Sequence, residues 1–93
     1  MAYSVCEWDP EKDAENQRKH GVDFEDACCV FDDLYHIVVP DDCDYVEDRL
    51  IATGRVGSKV LVVVFTERNG RERIISARKA NRREEETYFE RFA

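Results

Sequence analysis

Proline and glycine are scarce in this chain, two and four residues among 93. That excludes a collagen-like chain and argues against a disordered, low-complexity one. Long apolar runs are missing too. The longest, Val60 to Phe65, is six residues and far too short to cross a bilayer. The first residues lack a basic stretch followed by an apolar one, so no secretory leader is expected and a cytoplasmic location is. No Cys-x-x-Cys pair occurs among Cys6, Cys28, Cys29 and Cys43, and His20 and His36 complete no zinc-finger spacing. Reduced, partly buried thiols are therefore expected. There is no Gly-rich phosphate loop, no paired-carboxylate pattern and no Ser-His-Asp arrangement. The Asp41-Asp42-Cys43-Asp44 segment lacks the ordered spacing of a calcium loop and reads as a solvated loop. No metal and no cofactor is expected.

Positive charge is in deficit overall, with fourteen Lys/Arg against twenty-one Asp/Glu and a net charge of −7. Such a balance disfavours a free nucleic-acid binder. The distribution is uneven, however. Residues 1–67 hold six basic and sixteen acidic residues, whereas residues 68–93 hold eight basic and five acidic. An acidic body with a basic C-terminal quarter presents a local cationic surface suited to phosphate or to a complementary protein.

What the chain does contain fits one domain over residues 1–93, since that length leaves no room for a second core. Tyr3 to Trp8 reads as a first strand. Asp9-Pro10 supplies an N-cap and a proline at the first helical position, predicting a charged surface helix from Pro10 to His20 that stops at Gly21. Asp23 caps a second helix, Phe24 to Phe31, with Phe24, Ala27, Cys28 and Phe31 on its buried face. His36 to Val39 reads as a strand ended by Pro40. Three further runs, Glu47–Val56, Lys59–Arg68 and Arg71–Arg78, are joined by Gly57-Ser58 and Asn69-Gly70. These are hairpin signals of type II′ and type I′ and predict an antiparallel meander. Asn81 and Glu84 form a capping-box pattern ahead of a last helix.

The two turns fix a register. Without a bulge, Arg49 lies opposite Thr66 and Thr66 opposite Arg73, so one face carries two arginines about 10 Å apart with a threonine hydroxyl between them. Arginine offers a donor fork matched to phosphate oxygens. The competing role is pairing with nearby carboxylates, the usual fate of surface arginines. In this strict register Arg78 falls on the opposite face from Arg73, at a strand end where a bulge would re-aim it.

Several segments resemble the BrnT-type toxins of bacterial toxin–antitoxin modules. They include Glu7-Trp8-Asp9-Pro10-Glu11-Lys12, Arg18-Lys19-His20-Gly21-Val22, Phe24-Glu25-Asp26-Ala27 and Glu47-Asp48-Arg49. The resemblance closes on Leu61 to Arg68 and on Arg73-Ile74-Ile75-Ser76-Ala77-Arg78-Lys79-Ala80, with Glu84 and Tyr88 beyond. It implies a RelE/ParE-like α+β fold: two N-terminal helices, a twisted antiparallel β-sheet with the three-strand meander, and a C-terminal helix. It also implies a metal-independent endoribonuclease that inhibits translation. The implied partners are a BrnA-like ribbon-helix-helix antitoxin and an RNA substrate, with operator DNA reached only through the antitoxin and no membrane contact.

Such cleavage needs a proton taken from the ribose 2′-OH, charge stabilised at phosphorus and a proton given to the leaving oxygen. His20 is the candidate acid or base, because histidine changes charge nearest neutrality; its alternative role is contact with the last carbonyls of its helix. Arg49, Arg73 and Arg78 are candidates for the phosphate, Arg78 because it matches the family's Ser-Ala-Arg element. Lys79, Arg82 and Arg83 are candidate RNA contacts. Tyr88 is one as well, by stacking on a base, unless it packs the last helix on the sheet. The rival reading is an inactive homologue that retains antitoxin binding and operator co-repression.

Overall fold

The computed structural model describes residues 6–41 and 48–91. In chain order the elements are β1 (Cys6–Glu7), α1 (Pro10–His20), α2 (Phe24–Cys28), a 3-10 turn (Cys29–Asp32), β2 (Ile37–Pro40), β3 (Leu50–Val56), β4 (Lys59–Arg68), β5 (Arg71–Lys79) and α3 (Arg82–Glu90). Local chemistry sets most of these boundaries. The Asp9 carboxylate accepts the Glu11 N–H at 2.9 Å, and Pro10 follows at the first helical position. Gly21, at φ 69°, ends α1 in the left-handed region, where its N–H reaches the Gln17 carbonyl. Asp23 caps α2 through Asp26 N–H at 2.7 Å. The second helix is shorter than the expected Phe24–Phe31, because its last turn tightens into the 3-10 turn. Its buried face is nonetheless the expected one, with Phe24 and Ala27 fully buried and Cys28 and Phe31 packed against the core.

The sheet order is β1-β5-β4-β3-β2. It is mixed, where an antiparallel sheet was expected, because β1 pairs parallel to β5 at Cys6↔Glu72 and Glu7↔Arg73. The fold is α+β, with three α-helices among the described residues. The expected first strand extends back into residues 1–5, and the acidic loop and the start of the third strand fall on residues 42–47; these segments lie outside the described residues.

The β3–β4 ladder keeps the register that Gly57-Ser58 dictates, from Val56↔Lys59 to Leu50↔Phe65. The β4–β5 ladder keeps the expected register from Arg68↔Arg71 to Phe65↔Ile74. It then slips by one residue, so that Val64 faces Ser76 and Val62 faces Arg78. Ile75 is the extra residue of a β-bulge. The slip overturns the strict register at the end of β5. Ala77 turns inward, 1% exposed, and Arg78 returns to the face that carries Thr66 and Arg73.

The core lies between one sheet face (Ala52, Leu61, Val63, Phe65, Ile74 and Ala77) and Val22, Phe24, Ala27 and Val30 from α2 and its flanks. Trp8 packs at its margin, edge-on to Phe24. On the other sheet face Val60 and Val62 are buried and Val64 is half-buried. Here α3 approaches: Tyr88 lines a groove with Thr53, Ile37 and Val39.

Two contacts position α1. The Asp13 carboxylate accepts the Phe24 N–H at 2.9 Å, fixing α1 to α2. The Asn16 carboxamide then pairs with the edge of β5 as a strand residue would. Its Nδ2 donates to the Ala77 and Val22 carbonyls, both at 2.8 Å, and its Oδ1 accepts the Ala77 N–H at 3.1 Å. Asn16 is buried, so each of these bonds satisfies a group that water cannot reach.

The thiols correct another expectation. Cys6 and Cys28 form a disulfide, because β1 brings Cys6 alongside α2 with 6.1 Å between the Cα atoms. A separation of 22 residues in sequence carried no sign of this proximity. Cys29 is a free, exposed thiol; Cys43 lies outside the described residues.

Gly54 marks the closest approach of the 3-10 turn to β3. A Cβ there would sit 2.8 Å from Val30 Cγ1 and 3.0 Å from His36 Cβ. Gly54→Ala is expected to destabilise the fold by about 1–3 kcal/mol, through overpacking at this contact. Chemical denaturation checks it, with a lower midpoint at an unchanged m-value as the expected outcome.

Candidate nucleic-acid interface at the β5 bulge

The bulge faces α1. Between them lies a cleft of about 210 Å³ lined by Lys12, Glu15, Asn16, Lys19 and His20 from the helix and by Ile75 and Ser76 from the strand. The helix residues recur at three- and four-residue steps, so they form one face of α1. Asn16 forms the floor and is committed to Ala77 and Val22. Lys19 pairs with Glu15 at 2.6 Å, and that pairing, first through its hydrogen bond and then through its charge, holds the Glu15 carboxyl below its ordinary range. Lys12 and His20 have no salt-bridge partner among the described residues. The basic last turn of α1, Arg18-Lys19-His20, opposes the negative end of the helix dipole.

Beyond the cleft, the β4–β5 face carries a row of polar groups. The Thr66 hydroxyl donates to the Asp48 carbonyl at 2.7 Å. Its neighbour Arg73, one third exposed, pairs with Glu7 of β1 at 2.9 Å. Arg78 makes a bidentate pair with Glu84, Nη1 to Oε1 at 2.7 Å and Nη2 to Oε2 at 2.8 Å. The hydrogen bond and charge of Glu84 together outweigh the effect of burial on Arg78 and raise its pKa. Arg78 in turn pulls the Glu84 carboxyl below its ordinary range.

The candidates therefore separate into groups. Ser76, Arg78 and Arg73 share one face of β5, and His20 lies in the cleft that Ser76 also lines. Arg49 immediately precedes β3 at the end of the sheet near Thr66, with its carbonyl accepting the Asp41 N–H. Lys79 pairs with Leu61 and so sits on the opposite sheet face, exposed. Arg82 is exposed and pairs with Glu86 at 3.2 Å. Arg83 lines the groove between α3 and β2. Tyr88 is 1% exposed, with its ring against Phe89 and its hydroxyl donating to Asp33. Its surroundings are those of a residue that packs α3.

Sequence reasoning passed over Lys12, Ser76 and Glu84. Spacing was the available signal for Lys12, which lies four and eight residues before Asn16 and His20. Ser76 precedes Arg78 by two residues and shares its face, and the bulge that brings both to the face of Arg73 has no local signature.

The family described as ribonuclease toxin, BrnT, of type II toxin-antitoxin system matches residues 8–84. The chain belongs to the BrnT family. The matched span runs from Trp8 to the first turn of α3, so it contains the whole α1–β5 cleft and the Arg78–Glu84 pair. BrnT members are toxins with ribonuclease activity, and a type II system pairs the toxin with an antitoxin. No curated protein matches the chain. Among the described residues no helix is long and apolar enough to cross a membrane.

Asp33 ties α3 to the sheet edge. Burial pushes its carboxyl up, but hydrogen bonds from Tyr88, the Arg55 N–H and the Tyr35 N–H outweigh that and leave it below its ordinary range. Burial first, and then the Asp33 carboxylate, push the Tyr88 hydroxyl up to about 12. A raised phenol pKa contributes stability that is complete below the unfolded value, about 10, and is lost as pH rises through about 12. Tyr88→Phe is expected to cost about 2 kcal/mol at neutral pH, the scale of a hydrogen bond to a charged group. Denaturation at pH 7, with ultraviolet titration of the phenol in the parent chain, checks both statements.

Proposed function

We propose that this chain is a RelE/ParE-like endoribonuclease toxin that halts translation without a metal ion. The RNA backbone lies along the β4–β5 face and the scissile ribose enters the α1–β5 cleft. The observation that carries this reading is the bulge at Ile75, which turns Ser76 and Arg78 onto the face of Arg73 beside the cleft that His20 lines.

In this reading the ribose 2′-OH attacks the adjacent phosphorus, and the 5′-oxygen leaves with a proton. His20 moves a proton at one of these oxygens, with Lys12 close enough in the cleft to stabilise negative charge. Arg78 and Arg73 bind the non-bridging phosphate oxygens, and Arg49 extends the cationic track past Thr66. Arg82, Arg83 and Lys79 contact flanking backbone. Each of Arg73, Arg78 and Arg82 already holds a carboxylate, and phosphate engagement works within or against those pairs. The same pairs support the second reading, a catalytically silent homologue whose basic residues are spent on internal structure. In either case the partner is a BrnA-like ribbon-helix-helix antitoxin, and operator DNA is bound only through that partner.

Induction of the chain alone is expected to arrest growth, with rescue by co-expression of its antitoxin. The purified chain is expected to cleave RNA in the presence of a chelator. Arg78→Ala should lose at least about 100-fold in cleavage rate at an unchanged melting temperature, the scale of losing a charged transition-state contact. A folded chain that binds the antitoxin and leaves RNA intact establishes the second reading.

A further inference from the structure

We infer that Glu84 is a positioning residue, which grips Arg78 by one edge of its guanidinium so that the other edge is aimed at an RNA phosphate. This rests on the reading of Arg78 as a phosphate contact.

A guanidinium carries five N–H donors in a fixed plane. The two that point away from the side chain, one on each Nη, go to the two oxygens of Glu84 at 2.7 and 2.8 Å. Nη1 also donates to the Lys79 carbonyl at 3.3 Å. That leaves the Nε–H and the outer Nη2–H, which lie side by side and parallel. They form a second fork with the spacing that phosphate oxygens accept. None of the described residues takes a hydrogen bond from Nε of Arg78.

The grip is rigid because Glu84 is itself held. Its Oε1 accepts the Asn81 N–H at 2.9 Å, while the Asn81 side chain accepts the Glu84 N–H at 2.8 Å. This capping box fixes the carboxylate to the first turn of α3. The other end of α3 is fixed by Tyr88 on Asp33. Arg78 is thus held against helix backbone and not against a free side chain.

The carboxylate cancels the charge it orients. Its contribution is therefore to geometry more than to attraction, and removing it should act on kcat more than on KM. With side chains 44% and 31% exposed, water also screens the repulsion between Glu84 and an arriving phosphate.

Glu84→Gln separates the roles, because glutamine still completes a capping box. It is expected to lower kcat about tenfold or more, with KM within about twofold and the melting temperature nearly unchanged. Asn81→Gly removes the side-chain half of the box, while the backbone N–H at 81 still holds Oε1 of Glu84, so it should lower the melting temperature and reduce kcat less than Glu84→Gln does. An unchanged or raised kcat in Glu84→Gln overturns the proposal, as does a lowered KM at constant kcat. A second measurement does not need cleavage. On titration with a 2′-O-methyl oligoribonucleotide, the Arg78 Nε–H resonance should shift while the Glu84 carboxyl carbon keeps its lowered titration. Release of Glu84, or an unmoved Nε–H, overturns the inference. Absence of RNA cleavage by the parent chain would instead count against the proposed activity, and the resonance experiment would still decide the role of Glu84.

Discussion

The carboxamide of Asn16 binds both backbone groups of Ala77 and the carbonyl of Val22, and much else depends on that contact. Beyond Arg73 the β1 strand no longer pairs with β5, so the edge of the sheet there would be open. A side chain from α1 takes the place of the missing strand. Ala77 is thereby anchored inward, two residues past the extra residue in β5, and the helix is fixed at the height of the bulge. The cleft, the outward turn of Ser76 and the return of Arg78 to the face of Arg73 follow from this placement. A mid-helix asparagine is costly for an isolated helix; here its polar groups are all used in tertiary structure.

Much of the fold was legible because its rules are local. Asp9-Pro10, Gly21, Asp23 and the Asn81–Glu84 box each mark a boundary through backbone chemistry within four residues. Asn69 and Gly70, both at positive φ, pinned the second hairpin, and its register held for four residue pairs. It failed at Ile75, since one inserted residue changes no periodicity that a nine-residue strand can display. Parallel pairing of β1 and the Cys6–Cys28 bond escaped notice for a related reason. Both are contacts between segments far apart in sequence, and no single segment carries the information. Within the candidate site, residue types were readable but partners were not. Arg78 was singled out from its motif, while the carboxylate that holds it lies six residues on, in another element.

Charge in this protein is arranged by proximity and not by total. An acidic chain with a net charge of −7 still assembles Lys12, Lys19, Arg73 and Arg78 along β5, beside His20. Three of these cations hold carboxylates from Glu15, Glu7 and Glu84. Such pairing limits long-range attraction for any polyanion and favours recognition by direct contact.

The disulfide gives α1 an unusual standing in the chain. Cys6 and Cys28 close a covalent ring, and the entire helix lies within it. In the unfolded chain a ring of this size removes conformational freedom worth about 3 kcal/mol. In the folded chain it makes the helix that walls the cleft a chord between two fixed points. The described part of β1, Cys6–Glu7, is joined to α2 by the bond as well as to β5 by its backbone pairing. Glu7, one residue from the bond, is placed by the same ring beside Arg73, with which it pairs.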